Sequence, residues 1–441
     1  MSLKKVLITV LIFSACAVYA TNARIEAMGK NATFIMDDMS IFDNPANIGI
    51  YPNYLIGEMG NYLENDIKPG ENRDPQSPWF GGIFSMGLGE DMGLDPKVSI
   101  AGAFNRQDEW FKYLPQAVLV DDQLVGDSIV SVPTPITNFD GFLGASDEEG
   151  NLLGVHVYAG IQDGIDNYGN LDSRAFAQIL KLDAGINYQY DEDIDLEIHG
   201  GLGRIAYGES DSNPFSGNLS FFGGGRMFST IEAINGELVP AASFEYVEAG
   251  ERKIFDGQAG MGVNVSLDRG FFWLGLEGIY RKQSAKLLAG MDSLVVAIDG
   301  ADTTYATDIV IENQTGSKSV GRDRQEETGG RISFGIERNI WYDWFVIRVG
   351  GQKEILWKTC EIGDDTSEIN GVSALCGESG AHFSTNPVGD QTQGDHIGFG
   401  FGINIEEKLK VDAVVSEDLI FRNPFQGGGR WLSRVSASYS F

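Results

Sequence analysis

The residues best equipped for catalysis or metal binding in this 441-residue chain are His156, His199, His382 and His396, with Cys16, Cys360 and Cys376. None stands in a spacing that chemistry requires. The histidines are too scattered for a metal-ligand pattern, and no G-x-S-x-G, H-E-x-x-H or P-loop motif occurs. Gly377-Glu378-Ser379-Gly380 beside His382 is only a fragment of a hydrolase-like pattern. Asp163, Asp166, Asn167, Asn170 and Asp172 bunch around Gly164 and Gly169 without EF-hand spacing, and read as a solvated acidic loop. No catalytic residue, metal or cofactor is therefore expected. Six charged residues remain, Lys181, Asp183, Glu277, Arg281, Arg348 and Arg434. Their meaning depends on the elements that carry them.

Those elements are strands, because side chains alternate in character along them. In 396–405, Ile397, Phe399, Phe401, Ile403 and Ile405 share one face, and His396, three glycines and Asn404 share the other. In 253–267, Phe255, Ala259, Met261, Val263, Val265 and Leu267 oppose Asp256, Gln258, Asn264 and Ser266. In 174–190, Leu182, Ala184, Ile186, Tyr188 and Tyr190 oppose Lys181, Asp183, Asn187 and Gln189. Trp273, Glu277 and Arg281 likewise share a face. One apolar and one polar face over ~9–11 residues is the pattern of a membrane-spanning barrel strand. The six charges then face a lumen, where they pair with one another or hold an inserted segment.

Fourteen such strands are expected: 54–62, 79–88, 97–105, 138–145, 152–161, 174–190, 195–207, 253–267, 271–286, 330–338, 344–358, 396–405, 408–415 and 431–441. Alternate connections are short and polar, while those at 107–137, 208–252, 287–329 and 359–395 are long. Short turns on one rim and long loops on the other are a barrel trait that a soluble sandwich has no reason to show. The stretch 218–228 is strand-like. Paired with 243–247 it would raise the count to sixteen, but loop sorting favours an external hairpin. Aromatics crowd the short-turn ends, at Tyr188, Tyr190, Phe271, Phe272, Trp341, Tyr342, Trp344 and Phe441, as in an interfacial girdle.

Lys4 and Lys5 precede an uncharged apolar run to Ala20, so residues 1–20 read as a secretory signal peptide, with Val18-Tyr19-Ala20 as its cleavage site. Phe13-Ser14-Ala15-Cys16 is a poor lipobox. The formal net charge of −31 argues against a nucleic-acid partner. In an exported chain, Cys360 and Cys376 read as a disulfide more readily than as a metal site.

The final strand, W-L-S-R-V-S-A-S-Y-S-F, turns Trp431, Val435, Ala437, Tyr439 and Phe441 to one face, with Leu432 a misfit. This aromatic ending, at Tyr439 and Phe441, resembles the assembly signal of bacterial outer-membrane β-barrels. Near the other end, Ala23-Arg24, Met28-Gly29, Asp37-Asp38 and Asn44-Pro45-Ala46 follow one another over some thirty residues. That series resembles the start of FadL-type outer-membrane transporters of long-chain fatty acids and other hydrophobic compounds, which have PorV-type relatives. The resemblance implies an all-β transmembrane antiparallel barrel over 54–441, with residues 21–53 folded into its lumen as a hatch carrying Asn44, Pro45 and Ala46. It implies passive uptake of a hydrophobic small molecule across the bacterial outer membrane. The partners expected are outer-membrane lipid, the barrel-assembly machinery and a hydrophobic ligand. A PorV-like barrel that binds or shuttles secreted proteins and a general-diffusion porin are the alternatives. The large acidic loops are awkward for capturing a fatty-acid anion.

Overall fold

The computed structural model describes residues 22–51, 53–60, 78–87, 97–114, 117–119, 129–131, 135, 137–147, 150–166, 173–191, 193–209, 218–250, 252–288, 294–299, 302–306, 309–311, 319–340, 342–361, 380–385, 396–406, 408–415 and 432–441. The signal-peptide reading of 1–20, Trp341, Cys376 and the 377–379 fragment lie outside them.

The wall consists of β1 (Tyr54–Met59), β2 (Trp79–Gly87), β3 (Lys97–Phe104), β4 (Thr137–Ser146), β5 (Leu152–Asp166), β6 (Ser173–Asp191), β7 (Ile194–Glu209) and β8 (Leu219–Ile231). It continues through β9 (Gly236–Ala249), β10 (Arg252–Leu267), β11 (Gly270–Leu288), β12 (Ser319–Asn339), β13 (Phe345–Glu361), β14 (His396–Ile405), β15 (Leu409–Val415) and β16 (Leu432–Ser440). Each strand pairs antiparallel with the next. β16 returns to β1, with Tyr54 opposite Ser440 and Met59 opposite Val435, so the sheet closes on itself. Closure leaves no unpaired edge. A further short strand, Gly380–Thr385, pairs with the distal part of β13, beyond the stretch that β14 covers, and adds no stave.

The wall therefore has sixteen strands among the described residues, not fourteen. The stretch expected to be an external hairpin is β8 and β9, fully paired with β7 and β10. Pro240 sits within β9 and has no N–H to give the ladder. The β8–β9 pairing is interrupted there, between Ala241, opposite Arg226, and Leu238, opposite Ser229. Adding two strands preserves parity, so the expected short connections stay on one rim. The long connection expected at 208–252 does not exist as one loop, and only two residues separate β9 from β10 on the opposite rim. The short connections that follow β4, β6, β8, β10 and β14 share one rim with Tyr54 and Phe441, and the Phe441 N–H donates to the Asn53 carbonyl at 3.0 Å.

Alternation along the strands places apolar residues outward, including Leu153, Val155, Val157, Leu182, Ile186, Ile198, Leu202, Leu274 and Leu276. This exposed belt is far larger than the apolar patches that soluble monomers leave open. Tyr188, Tyr190, Tyr342, Trp344 and Phe441 are exposed near the short-turn rim. The misfit of Leu432 has a local cause. A bulge in β16 pairs Val414 with Arg434 but Val415 with Leu432, so the extra residue turns Leu432 outward. β12 has 21 residues, and its neighbours β11 and β13 are also long. At ~3.3 Å per residue such strands outrun a hydrocarbon layer of about 30 Å. No helix among the described residues is long and apolar enough to cross a membrane.

Candidate functional site

The faces opposite the apolar belt meet residues 22–51, which form one short helix, α1 (Asn22–Ala27), and two 3-10 turns (Asp38–Ile41 and Pro45–Gly49). Local chemistry sets these turns. The Asp37 carboxylate accepts from the Ser40 N–H, and the Asn44 side chain accepts from the Ala46 N–H with Pro45 at the first turn position. Asn44 also donates to the Ile186 carbonyl of β6 at 3.3 Å.

The segment is tied to inward side chains around much of the wall. Arg24 Nε donates to Glu337 of β12 at 2.7 Å, and Arg348 of β13 shares that carboxylate while also pairing with Asp412 at 2.6 Å. Asn31 Nδ2 donates to Glu277 of β11 at 2.6 Å. Asn264 of β10 donates to the Phe34 carbonyl at 2.8 Å. Arg226 of β8 donates to the carbonyls of Ala32, Thr33 and Ile35, and pairs with Glu197 at 2.8 Å. Arg434 of β16 joins Glu26 and Glu58 at 2.9 and 3.1 Å. Glu337, Glu277, Glu197 and Arg348 are each at most 5% exposed, so these pairs are charge-assisted and largely dry.

Glycines make the approach possible. A Cβ at Gly350 or Gly335 would overlap Met28, and one at Gly262 or Gly275 would overlap Phe34. A Cβ at Gly154 or Gly185 would overlap Pro45 or Asn44. Gly29 is needed twice over, since its φ is +102° and a Cβ would lie 2.8 Å from the Gly351 nitrogen. Apolar packing completes the seat. Met28, Phe34 and Ile35 pack with Phe228, Val239 and Trp273, while Ile25, Met39, Ile41 and Ile48 pack with Ile56, Trp79, Ile83 and Phe142.

Burial also acts on the acids of this segment. Asp37 is pushed up to about 6 by burial, against the pull of Arg24 and Arg226. Burial raises Asp38 well above the usual carboxylate range, and the Asp37 charge adds to it.

The six charged residues read from alternation all carry ion pairs on the inward side. Lys181 pairs with Asp108 at 3.0 Å and Asp183 meets His156 at 2.7 Å. Glu277 pairs with Arg331 at 3.4 Å, and Arg281 reaches Asp256 and Glu354, each at 3.1 Å. Arg226 and His156 are among the residues that escaped sequence reasoning. Arg226 did so because its strand was taken as external. His156 lies buried between Asp183 and Asp140, the latter at 3.0 Å, and stacks on Phe142 with ring centroids 4.2 Å apart. The signal for it was alternation, which puts His156, Asp140 and Asp183 on one face. Among the described residues no group of three His, Cys, Asp or Glu is placed to hold a metal. The Cys360 side chain and all of Cys376 lie outside the described residues, as do the side chain of His382 and most of the 163–172 loop.

No family model and no curated protein matches the chain. Among solved structures, CdiB from Escherichia coli is similar at a TM-score of 0.40 and 11% identity, over 88% of this chain and 63% of that one. The toluene transporter TodX from Pseudomonas putida is similar at a TM-score of 0.33 and 10% identity, over 96% and 99%. BamA from Haemophilus ducreyi, lacking POTRA domains 1–3, is similar at 0.37 and 8%, over 87% and 69%. The chain thus spans less than two thirds of the CdiB chain. At these TM-scores the likenesses carry no weight for family or function.

Proposed function

We propose that this chain is an outer-membrane barrel that lets apolar small molecules cross by passive diffusion, with residues 21–53 as its lumenal plug. The observation that carries the reading is the filled bore. Described residues 22–51 are hydrogen-bonded to the inner faces of β6, β8, β10, β11 and β12, and in this reading they close the bore. The outward apolar belt supports a lipid surround, and Tyr439 and Phe441 at the short-turn rim are the assembly signal in this reading. Long-chain fatty acids are the solute class that the sequence resemblance implies. No chemical step belongs to the account. A plug held by buried ion pairs favours this reading over a general-diffusion porin, whose bore would stay open to hydrated solutes.

A second reading has one observation in its favour. A bore closed this thoroughly suits a barrel that binds secreted proteins and passes nothing. Proteoliposomes distinguish the two. With the purified chain, entry of labelled oleate or toluene rises above that of empty vesicles while entry of a sugar does not. Equal entry with and without the protein overturns the uptake reading.

A further inference from the structure

The β3–β4 connection leaves the rim opposite the short turns, yet residues 105–114 fold back into the bore. Arg106 Nη2 pairs with Asp140 of β4 at 2.5 Å, and the Tyr158 hydroxyl of β5 donates to the Arg106 carbonyl at 3.3 Å. Asp108 caps the following turn, accepting from the Trp110 N–H at 3.0 Å, and takes Lys181 of β6. Trp110 fills the space that a side chain at Gly203 of β7 would need, and meets Phe222 of β8 edge-on with centroids 5.7 Å apart. Its Nε1 donates to Glu245 of β9 at 2.8 Å, and the Tyr113 hydroxyl donates to the same carboxylate. Ten residues thereby engage six consecutive strands. Trp110 and Phe111 are at most 1% exposed and sit among Ile179, Ile205, Tyr207 and Val247. A surface loop resting on a rim does not bury two aromatics and two ion pairs. These interactions are of the kind that hold a plug.

The two inserted segments also touch. The Arg106 guanidinium lies over the Phe42 ring at 4.0 Å, and Phe42 packs edge-on against Trp79 and Phe142. We propose that residues 105–114 are a second gate, entering from the rim opposite the plug and latched to it through Arg106 and Phe42. The barrel opens only when both segments leave their seats. The proposal rests on the chain being a membrane barrel, but not on which solute it carries.

Ion current through the full-length protein in planar bilayers tests this, with a heat-shifted band on a gel as the check that each variant is a folded barrel. The wild type is nearly closed. Trp110→Ala, which empties the seat, and Glu245→Gln, which keeps its size but weakens the acceptor of Trp110 and Tyr113, both raise the current severalfold. Phe42→Ala raises it as well, and Phe42→Ala with Arg106→Gln together do no more than the larger single effect, because both break one latch. Folded variants that conduct like the wild type overturn the gate. Fully multiplicative effects of the two latch variants overturn the coupling. Oleate entry can fail while the current result stands, so the two readings fall separately.

Discussion

Arg24 and Arg348 share one buried carboxylate, that of Glu337, at 2.7 and 2.5 Å. One guanidinium comes from the N-terminal segment and the other from the wall, so this carboxylate ties residues 22–51 to the sheet. Removing Glu337 takes a shared counter-charge from both Arg24 and Arg348, the latter keeping Asp412, whereas removing Arg24 leaves Glu337 still paired with Arg348. Loss of one partner from a buried pair typically costs ~3–5 kcal/mol. Glu337→Ala is therefore expected to lower the temperature at which the folded band disappears by more than Arg24→Ala does. Arg24→Ala should chiefly expose residues 22–51 to protease. Equal effects of the two variants would contradict this division.

The glycines that receive the segment give a cleaner separation. At Gly350 any side chain overlaps Met28, and at Gly262 it overlaps Phe34. Gly350→Val or Gly262→Val keeps a residue suited to a strand, so the wall closes while the segment is driven off its seat. Protease then cuts within residues 22–51 while the heat shift persists. A segment equally protected in both variants would show that it does not lie where it is described.

Docking of the segment carries a pH dependence whose sign follows from Asp37. Its carboxyl, held at about 6 by burial, binds a proton in the docked state at pH values where the solvated group has lost it. The stabilisation is complete below the ordinary carboxylate value of 3.8 and fades as pH rises through about 6. Asp38, also raised by burial, acts in the same direction. Hydrogen exchange of residues 22–51 is expected to be slower at pH 5 than at pH 8 after correction for intrinsic rates. In Asp37→Asn, which is neutral throughout, that difference shrinks.

The outward belt predicts a strong asymmetry between faces. Val157 is 49% exposed on β5, next to the fully buried Tyr158. An arginine at mid-height on the lipid face of a barrel costs about 2–4 kcal/mol. Val157→Arg should therefore lower folding yield in lipid vesicles, while Lys358→Arg, on the inner face of β13 where it pairs with Glu327, leaves it near that of the wild type. Equal folding of both would mean that the belt does not face lipid.

Much of this was legible because alternation is a local signal. Leu182, Ile186 and Tyr188 against Lys181, Asp183 and Asn187 declare their faces whatever lies across the sheet. The short turns of one rim were legible for the same reason, but the sorting of long connections misled at 208–252, where two wall strands stand. β8 and β9 were not, because Gly223-Gly224-Gly225 carries no facial information and Pro240 argues against a wall strand. Only pairing with β7 and β10 decides their place. The turn at Asn44-Pro45-Ala46 was visible, but not that Gly154 and Gly185 were its seat, since a glycine records only the room it leaves. The insertion of Trp110 was hidden in the same way, as its partners Lys181, Gly203 and Glu245 are distant in sequence.

The most direct measurement is the gel mobility of the protein extracted from separated inner and outer membranes, with and without boiling. The account predicts a band in the outer-membrane fraction that runs fast unboiled and slow boiled, because a closed barrel of sixteen strands survives detergent until heated. A protein recovered in the soluble fraction, or one whose mobility does not change on boiling, would contradict the barrel and every role proposed for its bore.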